Sequence, residues 1–356
     1  MSSILSRLKT DAPNAAGPRL DGLGPDAALP GSEVEVRGLG LQSQDGMIPE
    51  ATIGDVVAQV SMSRATRAWV RVPEGAIPGE LVIRSGERES NGMFLRVGVP
   101  MAENLNPVAN PAVDSDGKVY ATFSGGRGQT VPVAVFAVDR DFQVRPFVRE
   151  VMNATGLAFG PDGFLYVSSR AEGTVYRVSP EGAVAVYAEG MGVATGIAFD
   201  RDGNLFVGDR SGTIFKLTPR ASGNDPEIFV FATLEPSMAA YHLAFNRAGT
   251  LFVTGPTTSS HQVVHAVDLN GETSVFYRGL GRAQGMAFDV EENLYVAASL
   301  EGRRGVVKIT PQGEASLVVA GSNLVGLAFL EDGCAALATR DALFHVEMGV
   351  QGLLLA

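Results

Sequence analysis

Three arginines recur at one position of a repeated sequence phrase and could together bind an anion. Arg170, Arg210 and Arg340 each directly follow the second of two apolar runs, so we expect them at the same end of three similar hairpins. Hydroxyl, imidazole and amide side chains stand at the start of the first run in several copies. Guanidinium groups flanked by such groups suit a carboxylate or a sugar acid. The sequence therefore predicts a ligand-binding set of Thr155, Arg170, Thr195, Arg210, Tyr241, His242, Gln284 and Arg340.

These arginines have a second interpretation, as solvated loop residues that pair with neighbouring acids. The nearest carboxylates, one or two residues from an arginine in each case, are Asp209, Glu172 and Asp341. Exposed ion pairs of this kind add little stability, and they would leave no free cation for a ligand. The sequence leaves both interpretations open.

His242, beside Tyr241, is the strongest candidate for acid–base chemistry. An imidazole titrates near neutral pH and can transfer a proton when it lies within hydrogen-bond reach of the reacting group. Asp209 could also serve, so the catalytic candidates are His242, Tyr241 and Asp209. A histidine in an apolar strand is more commonly a packed residue than a general base, and we expect His242 to be packed.

A divalent cation would need several oxygen ligands, some of them anionic, that converge on one point. The starts and ends of the repeated runs offer one carboxylate, Asp209, and two neutral amides, Asn110 and Asn153. One carboxylate makes a weak calcium site. Under an alternative interpretation, the metal ligands are Asn110, Asn153 and Asp209. No other cofactor is expected.

The phrase that carries these residues repeats along the C-terminal two thirds of the chain. It reads TGLAFGPDGFLYVSS from Thr155, and five further copies start at Asn110, Thr195, Tyr241, Gln284 and Val325. The copies are 40 to 46 residues apart, and most have a glycine turn between two apolar runs. Units of this length with several short strands indicate propeller blades. Residues 110–356 are predicted to form a six-bladed β-propeller with four strands in each blade.

The last blade could obtain its outer strand from either of two segments. The short apolar run Leu353–Leu355 would complete the blade from its own sequence, and we favour this choice. The alternative is that the connector near Leu105 supplies the strand.

Residues 18–98 have a different pattern, in which short alternating runs are separated by Gly and Pro. Such runs occur at Glu50–Ile53, Val56–Ser61, Arg67–Val72, Glu80–Ser85 and Met93–Val97. About seven short strands in this length indicate a small Ig-like β-sandwich, with Trp69 packed between the sheets. Residues 1–17 are then a flexible leader and residues 99–109 a connector. The predicted fold class is all-β.

Composition and charge exclude several classes of partner. The net charge is −11, of which −9 falls after residue 100, and no basic stripe is present, so we expect no binding to nucleic acid. The single cysteine, Cys334, excludes an internal disulfide and a cysteine-based metal site, and we expect a small core residue there. No signal peptide and no long apolar run is visible. We therefore expect a cytoplasmic protein without a membrane span, in an oligomeric state that the sequence leaves open.

Two known families resemble the two regions. Residues 18–98 resemble the TIG, or IPT, family of Ig-like domains in the order of PRLDGLGP, PGSEVEVRGLGL, ATIGDVVAQV, WVRVP and GELVIRSGERESNGMFLRV. The phrase G-[LIM]-A-F…DG…L-[YF]-V resembles NHL-repeat propellers and the senescence marker protein/gluconolactonase superfamily. The first resemblance implies a binding or spacer module, and the second implies six four-stranded blades.

Lactonases of this superfamily hold a divalent cation with a Glu at the start of blade one and with Asn and Asp at later strand starts. Here blade one starts with Asn110-Pro111, and no Glu is adjacent. The missing ligand favours a recognition protein that binds a small anionic molecule or a protein partner, and not an enzyme. The alternative is a divergent metal-dependent lactone hydrolase with Ca²⁺ or a similar cation. A lyase or strictosidine-synthase-like activity is a third interpretation.

Overall fold

A computed structural model describes residues 17–42, 48–126, 128–220, 225–257 and 262–353, and every regular element among them is a β-strand. The all-β prediction is thereby confirmed. No helix in this part of the chain is long and apolar enough to cross a membrane. The predicted leader lies outside the described residues, except for Gly17.

Nine strands form the N-terminal region. They are neighbours in the order β1-β3-β6-β5-β4-β7-β9-β2, with β8 paired to β7. All of them except the exposed β8 contribute to one hydrophobic core cluster. The alternation of apolar and polar residues produces this core, since Val34 and Val36 are fully buried on one face of β3. The strands are β1 (Arg19–Gly24), β2 (Ala27–Ala28), β3 (Glu33–Leu39), β4 (Glu50–Ile53), β5 (Val56–Arg64), β6 (Arg67–Arg71), β7 (Gly79–Ser85), β8 (Arg88–Glu89) and β9 (Met93–Val97).

The prediction for Trp69 is wrong. Ala68 and Val70 are the residues of β6 that face the core, so Trp69 lies on the opposite face and is only half-buried. The side chain period of a strand is two, so a shift of one residue moves Trp69 from the core face to the opposite face.

Five blades of a β-propeller are separate four-stranded antiparallel sheets. We label the first four A to D in chain order. Their strands are, in blade A, β11 (Ala112–Val113), β12 (Val119–Thr122), β13 (Val135–Val138) and β14 (Val144–Val148); in blade B, β15 (Ala154–Phe159), β16 (Leu165–Ser169), β17 (Thr174–Val178) and β18 (Val184–Ala188); in blade C, β19 (Ala194–Phe199), β20 (Leu205–Asp209), β21 (Thr213–Thr218) and β22 (Glu227–Thr233); in blade D, β23 (His242–Phe245), β24 (Leu251–Thr254), β25 (Gln262–Val267) and β26 (Thr273–Leu280).

The fifth separate sheet, blade E, contains both ends of the propeller. Its inner strands are β31 (Leu324–Phe329), β32 (Cys334–Thr339) and β33 (Ala342–Glu347), and its outer strand is β10 (Val99–Glu103), which pairs antiparallel with β33. The favoured prediction that Leu353–Leu355 forms this strand is wrong, because the connector supplies it. The backbone N–H of Leu353 instead donates to the carbonyl of Phe288, at 2.8 Å, and residues 354–356 lie outside the described part.

The remaining repeat forms four consecutive antiparallel strands that are merged with the N-terminal region. Strand β2 lies between β9 and the outermost strand β30 and runs parallel to both, so a 13-stranded sheet results. The structure thus has five separate blades where the sequence predicted six. The merged strands are β27 (Met286–Phe288), β28 (Leu294–Leu300), β29 (Arg303–Ile309) and β30 (Ala315–Ala320). Around the channel, the contacts of the innermost strands run β11, β15, β19, β23, β27, β31 and back to β11.

Aromatic side chains join neighbouring sheets of the propeller by a repeated edge-to-face contact. The ring on the second strand of one sheet contacts the Phe on the first strand of the next, with ring centroids 4.8 to 5.2 Å apart. Each such pair contributes about 0.5–1.5 kcal/mol beyond its buried area. The junction between blades E and A has Ala336 and Val113 at these positions and therefore lacks the contact. The five pairs are Tyr120–Phe159, Tyr166–Phe199, Phe206–Phe245, Phe252–Phe288 and Tyr295–Phe329.

Candidate functional site

The central channel is largely filled by the inner strands themselves. Each repeat has one position that faces the next inner strand. This position is a glycine in four repeats, and it is Asn110 in blade A and His242 in blade D. The cavity that remains between these side chains measures about 30 Å³. A cavity of about 10–15 Å³ already holds one water molecule, so this one holds about two. The middle of the channel therefore has no room for an organic ligand.

His242 is a neutral, packed residue. Its side chain is 3% exposed and lines the small channel cavity, and burial lowers its pKa to about 4. The neighbouring Tyr241 is also buried, and its hydroxyl donates to the backbone carbonyl of Glu235. Burial, followed by the negative charge of Glu235, raises the pKa of Tyr241 to about 12. Neither group has access to a pocket that could admit a substrate.

The two threonines of the predicted ligand set stabilise backbone. The hydroxyl of Thr155 donates to the carbonyl of Asn153 at 3.0 Å. Thr195 donates to the carbonyl of Gly208 at 2.7 Å and accepts from the N–H of Tyr241 at 3.1 Å, which links blades C and D. Both side chains are almost fully buried. They support the channel wall and face no ligand space.

The three predicted metal ligands are each bound within the protein. The Asn110 amide donates to the carbonyl of Met286 at 2.8 Å and accepts from the N–H of Leu327 at 3.1 Å. Asn153 accepts from the N–H of Gly128 and donates to two carbonyls of the same loop. Both carboxylate oxygens of Asp209 accept local hydrogen bonds, from the N–H of Val193 and the hydroxyl of Ser211. This donor set does not fit a calcium ion, which needs several free oxygens at one point.

Replacing Asn110 by alanine is expected to lower the free energy of unfolding by about 1–2 kcal/mol, because it leaves a carbonyl and an N–H on two inner strands without partners. Chemical denaturation with and without a chelator would measure the loss. If the Asn110 amide is structural, the loss of stability should be the same with and without the chelator. A loss seen only without the chelator would identify a metal ligand instead. Asn270→Ala, in an exposed turn, is the matched control and should change stability little.

Two of the three recurring arginines lie close together near blades B and C. The guanidinium of Arg170 donates to the carbonyl of Gly125 at 2.9 Å. Burial lowers the pKa of Arg170, and the positive charge of Arg210 lowers it further. Neither of the acids expected to neutralise them does so in the described structure, since Asp209 is engaged as above and Glu172 accepts from the hydroxyl of Tyr176 at 2.8 Å.

Arg340 belongs to a different group, in a pocket of about 170 Å³ between the β27–β30 strands and blade E. We call this the arginine pocket. None of its lining residues is acidic, and none of its three guanidinium groups forms an ion pair or a hydrogen bond with another described residue. Asp341, the expected partner of Arg340, accepts from the hydroxyl of Thr339. The lining residues are Gly281, Arg282, Gln284, Ala297, Ala298, Ser299, Arg304, Gly321, Asn323, Leu324 and Arg340.

Strand geometry positions the three arginines. Arg304 lies opposite Ser299 across the β28–β29 hairpin, whose turn contains Glu301 and Gly302 in left-handed conformations. Arg340 directly follows the last residue of β32. Arg282 precedes β27 and has a φ of 48°. Sequence reasoning found Arg340 and Gln284 but missed the other two arginines.

The backbone of Arg282 is unusual for its residue type. The equivalent residues in blades B and E are Asn153 and Asn323, which also have positive φ values of 48° and 60°. Asparagine tolerates this conformation better than arginine does, because its short side chain can hydrogen-bond locally. An arginine at this position is less favourable for folding than an asparagine, and an observed backbone outlier of this kind points to a functional role for the side chain.

Another cavity, of about 830 Å³, lies between the N-terminal strands and the β27–β30 strands. Its wall carries charges of both signs, and several of them are paired, including Arg96 with Asp26 and Arg303 with Glu35. A ligand there would have to displace these ion pairs. The smaller arginine pocket, with its unpaired cations, is the better candidate.

Comparison with known proteins supports the fold. No family model matches the chain, and no curated protein matches it. Among solved structures, one provisionally described as a gluconolactonase is 19% identical, with a TM-score of 0.59, over 73% of this chain and 94% of the other. A gluconolactonase from Xanthomonas campestris is 13% identical, with a TM-score of 0.56, over 84% and 97% of the two chains.

A third structure covers both regions of the chain. An auxiliary nutrient binding protein from Bacteroides ovatus is 12% identical, with a TM-score of 0.54, over 93% of this chain and 98% of its own. At these identities the likeness concerns fold alone. It shows that gluconolactonase-like β-propellers are structural neighbours of this chain.

Proposed function

We propose that this protein is a recognition protein that binds a small organic acid, such as a sugar acid, in the arginine pocket. The observation that carries the proposal is the group of three unpaired guanidiniums, Arg282, Arg304 and Arg340, around a pocket without an acidic residue. All three arginines are exposed, and a bound carboxylate would be attracted by each of their positive charges. Arginine can also grip a carboxylate with two parallel hydrogen bonds.

The remaining lining groups suit the hydroxyl-bearing part of such a ligand. Gln284 and Ser299 on one side of the pocket and Asn323 on the blade E side offer amide and hydroxyl groups, although the Ser299 hydroxyl donates to the carbonyl of Gly281 at 3.2 Å. The volume of about 170 Å³ fits a small acid and not a nucleotide or a polymer. The nutrient-binding description of one structural neighbour is in keeping with a small-molecule ligand.

We further propose that β27–β30 is a sixth blade and that the N-terminal strands form a TIG-like Ig sandwich docked on its outer edge. The closed order of inner strands and the repeated phrase at Gln284 support the sixth blade. The shared N-terminal core cluster supports the second assignment. In this arrangement the N-terminal region is a spacer that abuts the blade which forms one wall of the arginine pocket.

A metal-dependent lactone hydrolase is the second candidate, favoured by the gluconolactonase-like fold. It lacks support at the level of residues, because Asn110, Asn153 and Asp209 are each engaged in their own local hydrogen bonds. Lactone turnover that is abolished by a chelator and restored by Ca²⁺ would favour this candidate over ours.

Replacing Arg282 by asparagine separates ligand binding from folding. We expect the variant to bind glucuronate or gluconate at least about tenfold more weakly in isothermal titration calorimetry, since a hydrogen bond to a charged group contributes ~1.5–3 kcal/mol. Its thermal unfolding temperature should stay the same or rise, because asparagine suits the left-handed backbone. Raising the salt concentration should weaken binding of the acids to the native protein.

Arg201→Asn is the matched control, since Arg201 is an exposed arginine in a different blade, in the turn between β19 and β20 of blade C. It should leave the affinity unchanged. Glucose, the neutral counterpart of the two acids, should bind far more weakly than either. Equal affinity for glucose and glucuronate, or full affinity in Arg282→Asn, would contradict the proposal.

A further inference from the structure

The junction between blades E and A differs from the other junctions of the propeller in its side chains. In blade B the aspartate before the turn glycine, Asp162, accepts from the hydroxyl of Tyr166 on the second strand at 3.0 Å. In blade A a different aspartate of the turn, Asp114, accepts from Tyr120 at 3.0 Å. In blade E the aspartate is present as Asp332, but Ala336 replaces the tyrosine. The aspartate therefore has a different set of neighbours.

Those neighbours are a cysteine and a histidine. Cys334 and Ala336 are two residues apart on β32 and so share one face, and His345 on β33 is paired with Ala336. The ligand atoms of Asp332, Cys334 and His345 all lie within 4.8 Å of one another. Nε2 of His345 is 3.7 Å from Oδ2 of Asp332. In the described part of the chain, this is the one group of three or more histidine, cysteine and acidic side chains that could hold a metal ion.

The surroundings leave room for an ion and a water molecule. A cavity of about 130 Å³ adjoins the cluster and is lined by Asp332 and His345 together with residues of blade A, including Asp139 and Phe142. Cys334 is buried, whereas Asp332 and His345 reach the surface. Cys334 does not line the cavity, but its sulfur lies within 4.8 Å of ligand atoms of Asp332 and His345, which do.

We propose that Asp332, Cys334 and His345 bind a zinc ion at this junction. A thiolate, an imidazole and a carboxylate are all zinc ligands, and thiolate sulfur selects against the hard cations Ca²⁺ and Mg²⁺. Zinc bonds of about 2.0–2.3 Å in a tetrahedron place ligand atoms roughly 3.3–3.7 Å apart, which the cluster can reach by small side chain movements. Three protein ligands leave the fourth position to a water molecule from the cavity. On binding, the thiol releases its proton to solvent.

The ion would stabilise blade E beside the junction that lacks the aromatic contact. It would bond the turn before β32 to β32 itself and to β33, next to Phe142 of blade A, whose ring centroid is 5.6 Å from that of His345. Strand β33 pairs with β10, so the bound ion would also stabilise the sheet in which the two ends of the propeller meet. This role is structural and independent of any ligand in the arginine pocket. It departs from the sequence prediction, in which a single cysteine excluded a cysteine-based metal site.

Cobalt titration of the chelator-treated, full-length protein tests the proposal, because Co²⁺ replaces zinc in tetrahedral sites and is coloured. We expect one equivalent of Co²⁺ to produce visible bands of tetrahedral cobalt together with a near-ultraviolet thiolate-to-cobalt band. Zn²⁺ should displace it and raise the thermal unfolding temperature. Cys334→Ser should remove the thiolate band, and His345→Ala should weaken binding at least about tenfold.

His265→Ala is the matched control, a half-buried histidine on β25 away from the cluster. It should leave the cobalt titration unchanged. His345 is partly exposed, so its loss should not prevent folding, and the wild-type titration alone is already decisive. A wild-type protein that gives no thiolate band with stoichiometric Co²⁺ would overturn the proposal, as would a band that persists in Cys334→Ser.

Discussion

Replacing Gly196 by alanine is expected to lower the free energy of unfolding by about 3 kcal/mol or more. The added methyl group would overlap the carbonyl oxygen of Tyr241 and lie 2.9 Å from its carbonyl carbon and 3.0 Å from the Cα of His242. All three atoms are backbone atoms of the next inner strand, so no side chain rotation can relieve the overlap. Inserting one methyl group into packed structure typically costs 1–3 kcal/mol, and a rigid backbone neighbour places this case at the upper end.

Urea denaturation of the purified variant would measure this loss. The matched control is Gly22→Ala on β1, where the methyl group would meet nothing closer than the Arg37 guanidinium at 3.7 Å. We expect that control to change stability by less than about 0.5 kcal/mol, as is usual for a surface substitution. If Gly196→Ala were as stable as the control, the inner strands could not be as close together as described, and the account of a filled channel would be wrong.

The elements with strong local patterns were predicted well from the sequence. Glu50–Ile53 and Met93–Val97 are observed with the predicted bounds, because alternation and flanking turn residues define such strands locally. The outer strand of blade E was assigned to the wrong segment, since its pairing joins residues about 240 apart in sequence, and no local pattern specifies that partner. The merging of β30 with β2 is likewise a contact between distant edges.

The candidate site was harder to predict than the fold. Arg340 and Gln284 line the arginine pocket, but Thr155, Thr195, Tyr241 and His242 face the packed channel wall instead. Strand periodicity predicts on which face of a sheet a side chain lies. It does not predict the distance to the next blade, and this distance decides whether the side chain lines a pocket or packs against backbone. Arg304 could have been found, because the Glu301-Gly302 turn places it opposite Ser299. Arg282 could not, since its left-handed backbone leaves no clear sequence signal.

Replacing His242 by glutamine is expected to make the protein more resistant to acid. The pKa of His242 is about 4 in the folded protein, against an ordinary value of 6.5 that applies once the chain unfolds. Between these values the unfolded chain binds a proton that the folded protein excludes, so stability falls as the pH falls below 6.5. One pKa unit corresponds to about 1.4 kcal/mol, so the wild-type protein should lose about 2.5 kcal/mol through this residue between pH 7.5 and pH 4.5.

Urea denaturation of the wild type and the variant at both pH values isolates this contribution, because the carboxylates titrate equally in the two proteins. The difference in stability between them should shift in favour of the variant by about 2.5 kcal/mol on acidification. His265→Gln is the matched control and should give a smaller shift, since His265 is only half-buried, although burial lowers its pKa too. Parallel pH profiles for wild type and His242→Gln would mean that His242 can reach solvent or a proton donor through the channel. The imidazole of His242 would then again be a candidate for acid–base chemistry. It would also follow that the channel opens in solution.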